Sequence, residues 1–275
     1  MAAAQIRRIF ARLSLWRGPR PDGRAARSTD DIVNKETHVN QTNMDEKKTP
    51  CHMPLIGDTA PSFRAETTHG TMSFPEDYKG KWVILFSHPA DFTPVCTTEF
   101  MTFATMAEQF HALGAELIGL SIDSKQSHIA WVRAIQEKAE FQGMKNVSVN
   151  FPIIDDVGMK VAEQYGMIHP NASNTSAVRA VFFIDPESKI RAIIYYPLTN
   201  GRNFQELKRL LIAMQTSDKY GVATPADWQP GDEVIVPAPR TSQEACQRVA
   251  QSQGGEGQDY RTVDWYLSFK PAPSS

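Results

Sequence analysis

Trp82-Val-Ile-Leu-Phe86 is an uninterrupted apolar run of strand length. A run of that kind fits a central strand covered on both faces, as in a mostly parallel sheet between layers of helix. It ends in Ser87-His-Pro-Ala-Asp-Phe-Thr-Pro94, a loop marked by two prolines. Cys96 then opens a stretch in which Phe100, Phe103, Ala104, Ala107, Phe110 and Leu113 recur at helical spacing until Gly114. A buried strand feeding a helix through a short loop restricts the chain to an α/β architecture.

The corner between strand and helix also carries chemistry. A cysteine in the first turn of a helix meets backbone N–H groups that have no intrahelical acceptor and the positive end of the helix dipole, and both favour thiolate over thiol. Around Cys96, Thr93 can place a hydroxyl near the sulfur, Pro89 can shield it from water and deny competing N–H groups, and His88 offers a polar partner within the loop. Glu99 suits a capping position. An isolated cysteine beside apolar residues is more often a buried structural thiol, and it is the make-up of this loop that argues for a reactive one.

The spacing Pro89-x-x-x-Thr93-x-x-Cys96 resembles the active-site signature of the peroxiredoxins, and His88-Pro-Ala-Asp-Phe-Thr-Pro-Val-Cys-Thr-Thr-Glu99 is similar to that of their one-cysteine subgroup. The resemblance runs from about Leu55 to Phe269 and takes in Ser121-Ile-Asp-Ser124, Ser127-His-Ile-Ala-Trp131, Val178-Arg179, Tyr196-Pro197 and Gly201-Arg-Asn203. It implies a thioredoxin-like fold and a thiol-dependent peroxidase in which the Cys96 thiolate attacks a peroxide oxygen and becomes a sulfenic acid. It implies no cofactor. By position, Arg179 matches the arginine aimed at the sulfur, and a guanidinium that cannot lose its proton suits that role. Thr93 and the N–H groups of Val95 and Cys96 would bind the peroxide, with His88 as a weaker candidate for contact with peroxide or reductant and Arg202 as a weaker substrate-side candidate behind Arg179.

A Val-Cys-Pro resolving motif near the chain end is absent, and Glu244-Ala-Cys246-Gln does not resemble one. Cys51 sits at the edge of a polar linker. An external thiol or ascorbate is therefore the expected reductant, and a redox-sensing partner or holdase on the same fold is the alternative to a turnover enzyme. Some one-cysteine relatives carry a phospholipase serine just before the central-strand tryptophan. Lys81 stands there, so that activity is not expected.

Elsewhere the chain reads in order. Residues 1–28 hold seven arginines against one acid, Asp22, with Ile6, Ile9, Phe10 and Leu13 on one helical face. This fits either a mitochondrial presequence or an upstream extension without a role. Residues 29–50 are polar enough to be a disordered linker. The expected peroxidase domain covers 51–219, with short edge strands before Gly80, a strand from Glu116, a helix over 125–141, a short strand near 151–154, a brief helix capped by Asp156, a hairpin turned at Asp185-Pro-Glu-Ser188 and a helix over 204–214. From 220 to 275 the Pro-rich sequence reads as an irregular arm with Trp228, Trp265, Tyr266 and Phe269 spread along it. The resemblance implies that such an arm packs across a partner in a homodimer or larger homo-oligomer.

The formal net charge of −2 gives no global attraction to nucleic acid or to a membrane surface, and no run of eighteen apolar residues exists to span one. Three scattered cysteines exclude a disulfide framework and a Cys-x-x-Cys metal site. They suit a reducing compartment, so a cytoplasmic location is expected, or a mitochondrial one if the Arg-rich start is a presequence. His88, His111, His128 and His169 show no spacing of a known metal motif, so no metal is expected.

Overall fold

The structure is a computed structural model that describes residues 53–253 and 260–272. The Arg-rich start, the linker and Cys51 lie outside these residues. A hairpin of β1 (Phe63–Thr67) and β2 (Gly70–Phe74) precedes β3 (Trp82–Ser87), α1 (Pro94–Ala112), β4 (Ala115–Ser121), α2 (Lys125–Lys138), β5 (Ile153–Asp155) and a short α3 (Lys160–Gln164). The hairpin β6 (Arg179–Ile184) and β7 (Ile190–Tyr196) and the long α4 (Phe204–Tyr220) follow. The strands form one seven-stranded sheet in the order β2-β1-β5-β4-β3-β6-β7. β3 lies parallel to β4 and antiparallel to β6.

All six residues of β3 are buried because alternate side chains serve two cores. Ile84 and Phe86 point into the cluster built with Phe100, Phe103 and Phe110 of α1, Trp131 of α2 and Leu207 of α4. Val83 and Leu85 point into the opposite cluster with Ile118, Tyr165 and Phe182. Each large side chain withdrawn from water in this way contributes about 1.5–3 kcal/mol. Aromatic contacts lock α1 onto the sheet, with the Phe86 ring 4.5 Å from that of Phe103. α1 ends where Gly114 takes φ +69°, a left-handed turn that glycine adopts without strain.

Two expectations change. α4 runs on to Tyr220 and stops only at Gly221, also left-handed, because Asn203 caps its start by accepting from the N–H groups of Gln205 and Glu206 and nothing breaks the helix before the glycine. The arm is also not irregular. It holds β8 (Val234–Val236), α5 (Ser242–Gln253), β9 (Arg261–Asp264) and β10 (Leu267–Lys270), with the strands in the order β8-β10-β9. Strands of three or four residues are too short to show alternation among prolines and glycines, and α5 presents only small apolar groups such as Ala245, Cys246 and Val249. Trp228 is buried against Ala213 of α4, Val222 and Val234 of its own chain, so this aromatic needs no partner. Trp265 and Tyr266, at the β9–β10 turn, are about half exposed at 44% and 53%. Among the described residues no helix is long and apolar enough to cross a membrane.

Candidate active site

The loop that carries Cys96 leaves the carboxyl end of β3, in the middle of the sheet. Open α/β sheets place ligands outside the carboxyl ends of their parallel strands. Ser87, the last residue of β3, donates its hydroxyl to the Val178 carbonyl at 2.6 Å and accepts from Ala180 N–H at 3.1 Å. That pair of bonds pins the start of β6 beside the loop and so brings Arg179, between the two bonded residues, to the sulfur.

Thr93 is the N-cap residue of α1 in extended conformation, Pro94 occupies the first helical position and Cys96 lies in the first turn. Thr93 does not cap with its side chain. Its hydroxyl donates to the Ala90 carbonyl at 2.8 Å, closing the loop on itself. The first intrahelical bond of the loop end runs from Thr97 N–H to the Thr93 carbonyl at 3.0 Å, so the N–H groups of Val95 and Cys96 are left without helical acceptors. Pro89, Thr93 and Val95 are half-buried, and Cys96 is fully buried.

Arg179 is buried, with Nη1 3.3 Å from Cys96 Sγ. Its Nε and Nη2 donate to the Leu198 carbonyl at 3.0 and 2.7 Å, and Nη1 also donates to Glu99 Oε2 at 2.6 Å. Glu99 is therefore not a cap, a correction to the sequence reading. Cys96, Glu99, Phe100 and Phe103 share one face of α1, and a carboxylate on that buried face requires buried cations. It has two. Arg202 donates to Glu99 Oε1 through its backbone N–H and Nε (2.8 and 2.9 Å) and to Oε2 through Nη2 (2.7 Å). Arg202 Nη1 donates to the carbonyls of Ser87 and Ala180. With its guanidinium committed in this way, Arg202 stands behind the carboxylate and holds it, rather than at the sulfur.

His88 is fully buried. Its ring stacks on Trp131 at 5.1 Å and meets Phe100 edge-on at 4.7 Å. Its Nε2 lies 2.9 Å from Asp91 Oδ1, and its Nδ1 has no hydrogen-bond partner. Burial pushes its pKa down against the opposing pull of Asp91. The Asp91 carboxyl is pushed up by burial, but hydrogen bonds from His128 and His88 outweigh that and hold it at about 2. Asp91 and His128 were invisible as a pair in the sequence, because 37 residues separate them.

Lys81, at the position of the phospholipase serine in other chains, is exposed and pairs with Glu116 at 2.7 Å. Cys246 is exposed on α5 and lines a groove of about 730 Å³ with Pro239, Arg240, Val249 and Trp265, none of which belongs to the Cys96 site.

Residues 56–193 match the AhpC/TSA family, and residues 213–252 match the C-terminal domain of 1-Cys peroxiredoxin. A peroxiredoxin of Methanosarcina mazei is 59% identical over 218 residues, 79% of this chain and 98% of that protein. The chain is a peroxiredoxin. A second relative, the peroxiredoxin of Aquifex aeolicus, is 50% identical over 79% of this chain and 97% of its own length. Among solved structures, a yeast mitochondrial 1-Cys peroxiredoxin, studied for thiol resolving via the glutathione and thioredoxin systems, is 41% identical with a TM-score of 0.68, over 80% of this chain and all of that one. Peroxiredoxin 6 of Arenicola marina is 34% identical with a TM-score of 0.66, over 80% of this peroxiredoxin and 99% of that chain. These matches bear out the thioredoxin-like fold and the thiol peroxidase activity expected from the cysteine loop, in preference to a holdase or a sensing partner.

Proposed function

We propose that Cys96 is the peroxidatic residue of this peroxiredoxin and that an external thiol regenerates it. The observation that carries this reading is the 3.3 Å contact between Arg179 Nη1 and the buried Cys96 Sγ at a helix N-terminus. A fixed guanidinium and unbonded first-turn N–H groups together favour negative charge on sulfur. The thiolate attacks one peroxide oxygen, a sulfur–oxygen bond forms and the O–O bond breaks. Its electron pair leaves on the second oxygen, which takes up a proton and departs as water or alcohol, leaving Cys96 sulfenic acid. Arg179 and the N–H groups of Val95 and Cys96 supply donors to the charge that moves from sulfur to the leaving oxygen. Thr93, with its hydroxyl turned to Ala90, sets the shape of the loop.

Reduction then needs two thiol equivalents. The first condenses with the sulfenic acid, releasing water and forming a mixed disulfide, and the second displaces Cys96 as a thiol and leaves as the new disulfide. Cys246 does not serve as the resolving thiol in this reading, because it is exposed in the arm groove among residues foreign to the site. We assign the half-exposed Trp265 and Tyr266 to a contact with a second copy of the chain, which makes the working unit a homodimer. Reduced wild-type protein should consume hydrogen peroxide catalytically with a small-molecule thiol present, and Cys96→Ser should not. Equal consumption by both proteins would remove Cys96 from the reaction.

A further inference from the structure

His128 of α2 presents two nitrogens to two acceptors. Nε2 lies 3.0 Å from the Ile154 carbonyl of β5, which only accepts, so Nε2 carries a proton. Nδ1 lies 2.8 and 3.1 Å from the two oxygens of Asp91, and an ionised carboxylate also only accepts, so Nδ1 carries the second proton. The side chains of His88, Asp91 and His128 are at most 1% exposed. His88 donates from Nε2 to the same carboxylate, which leaves its unpartnered Nδ1 as a bare lone pair.

The three donor atoms lie within 4.8 Å of one another, the spacing of a metal site. A metal-bound His88 would need a partner for its second ring N–H, and Nδ1 has none. The protons of the two histidines therefore take the place of an ion. We infer that Asp91 and His128 form a buried carboxylate–imidazolium pair that positions the loop from His88 to Thr93 beside Cys96, and that breaking the contact between them loosens that loop. The inference rests on the peroxidase reading above, since the loop is the wall of its site.

Asp91 is the fixed point of the loop. Its side chain ties the loop to α2 and, through His128, to β5, while its backbone N–H donates to Asp123 Oδ2 at 3.0 Å. The next residue, Phe92, takes φ +55°, a left-handed conformation that is strained for a non-glycine residue. That turn aims Thr93 into the start of α1, so the anchor on Asp91 holds a strained residue in place. The titratable groups around the pair are Asp91 and His88 of the loop, Asp123 after β4 and Asp155 of β5, which accepts from Lys125 N–H at the start of α2. The Arg202 charge also acts on His88. Of these, only Asp91 bonds the His128 ring. A neutral His128 would keep its proton on Ile154 and turn a lone pair toward the carboxylate, replacing attraction with repulsion.

Asp91→Asn is the neutral complement of that state. Its amide N–H faces Nδ1 of a neutral His128, and its carbonyl still accepts from His88. The test measures the single-turnover rate with hydrogen peroxide for the full-length wild type, Asp91→Asn and Asp91→Ala, with ¹⁵N NMR of imidazole-labelled protein. Wild-type His128 should show two ring N–H groups. Asp91→Ala should be about tenfold slow, as a small displacement of a positioning element allows. Asp91→Asn should show one ring N–H on His128 and recover most of the rate lost in Asp91→Ala. A singly protonated His128 in the wild type, or an Asp91→Asn rate no higher than that of Asp91→Ala, overturns the inference. If Asp91→Ala does not fold, Asp91→Asn and the NMR decide alone. A wild type that consumes no peroxide would sink the peroxidase reading, while the NMR result would still decide the state of the pair.

Discussion

Glu99→Gln is the substitution that separates charge from geometry in this site. The glutamine has the same shape, but it puts an NH₂ where one carboxylate oxygen stood. If the NH₂ replaces Oε2, its hydrogens face Arg179 Nη1 and Arg202 Nη2, at 2.6 and 2.7 Å from the original oxygen. If it replaces Oε1, they face the backbone N–H and Nε of Arg202, at 2.8 and 2.9 Å. Either way two charge-assisted bonds become donor–donor contacts, and two buried guanidinium groups lose their counter-ion. Breaking a buried ion pair from one side costs about 3–5 kcal/mol. For a chain of this size that is roughly 6–20 °C in Tm at about 2–4 °C per kcal/mol. The freed Arg179 should also leave its station at the sulfur, and a misplacement of about 1 Å can cost up to about 100-fold in rate. Thermal melting by circular dichroism and stopped-flow peroxide reduction read the two quantities. A variant that melts like the wild type and reduces peroxide at the wild-type rate would refute the claim that Glu99 holds Arg179.

Arg179→Lys should lower the peroxide rate by about tenfold or more, since a compact ammonium does not reproduce the planar fork that reaches the Leu198 carbonyl, Glu99 and the sulfur. An unchanged rate would dismiss it. The Asp91 carboxyl is held at about 2 against an ordinary 3.8, so its contribution of about 2 kcal/mol is present above pH 4 and is lost as pH falls toward 2. His88 is depressed as well, so protonation of the unfolded chain erodes stability from the ordinary imidazole range downward, with the same sign. Urea midpoints between pH 7 and pH 3 should decline for the wild type and less for Asp91→Asn, and parallel declines would contradict this. Replacing Trp265 and Tyr266 together by serine should shift sedimentation from dimer to monomer without loss of the fold, and an unchanged sedimentation coefficient would place the dimer contact elsewhere.

The central strand and the cysteine corner were legible because their signals are local: an unbroken apolar run, a proline at the first helical position and helical spacing of phenylalanines. Arg179 was legible through the resemblance of its neighbourhood, and its contact with sulfur agrees with that. Glu99 was misread, although the signal was present. Three residues after Cys96 and next to Phe100, it shares the buried face of α1, and a carboxylate there implies a cation. Arg202 was half legible for the same reason, since its burial depends on an acid far away in sequence. The Asp91–His128 pair left no sequence signal, because a bond between a loop and a helix 37 residues apart has no periodicity. The arm was misread because strands of three or four residues among prolines look like coil, and Trp228 found its cover on α4.

Intact-mass analysis of reduced wild-type protein and of Cys246→Ser, each mixed with one equivalent of hydrogen peroxide and then trapped with a sulfenic-acid reagent, tests the assignment of Cys96 most directly. Both proteins should gain one adduct of the reagent, mapped by digestion to the peptide carrying Cys96, at the same rate and without a disulfide to any other cysteine. Loss of two hydrogens through a Cys96–Cys246 disulfide in the wild type, or an adduct appearing first on another residue, would contradict the assignment.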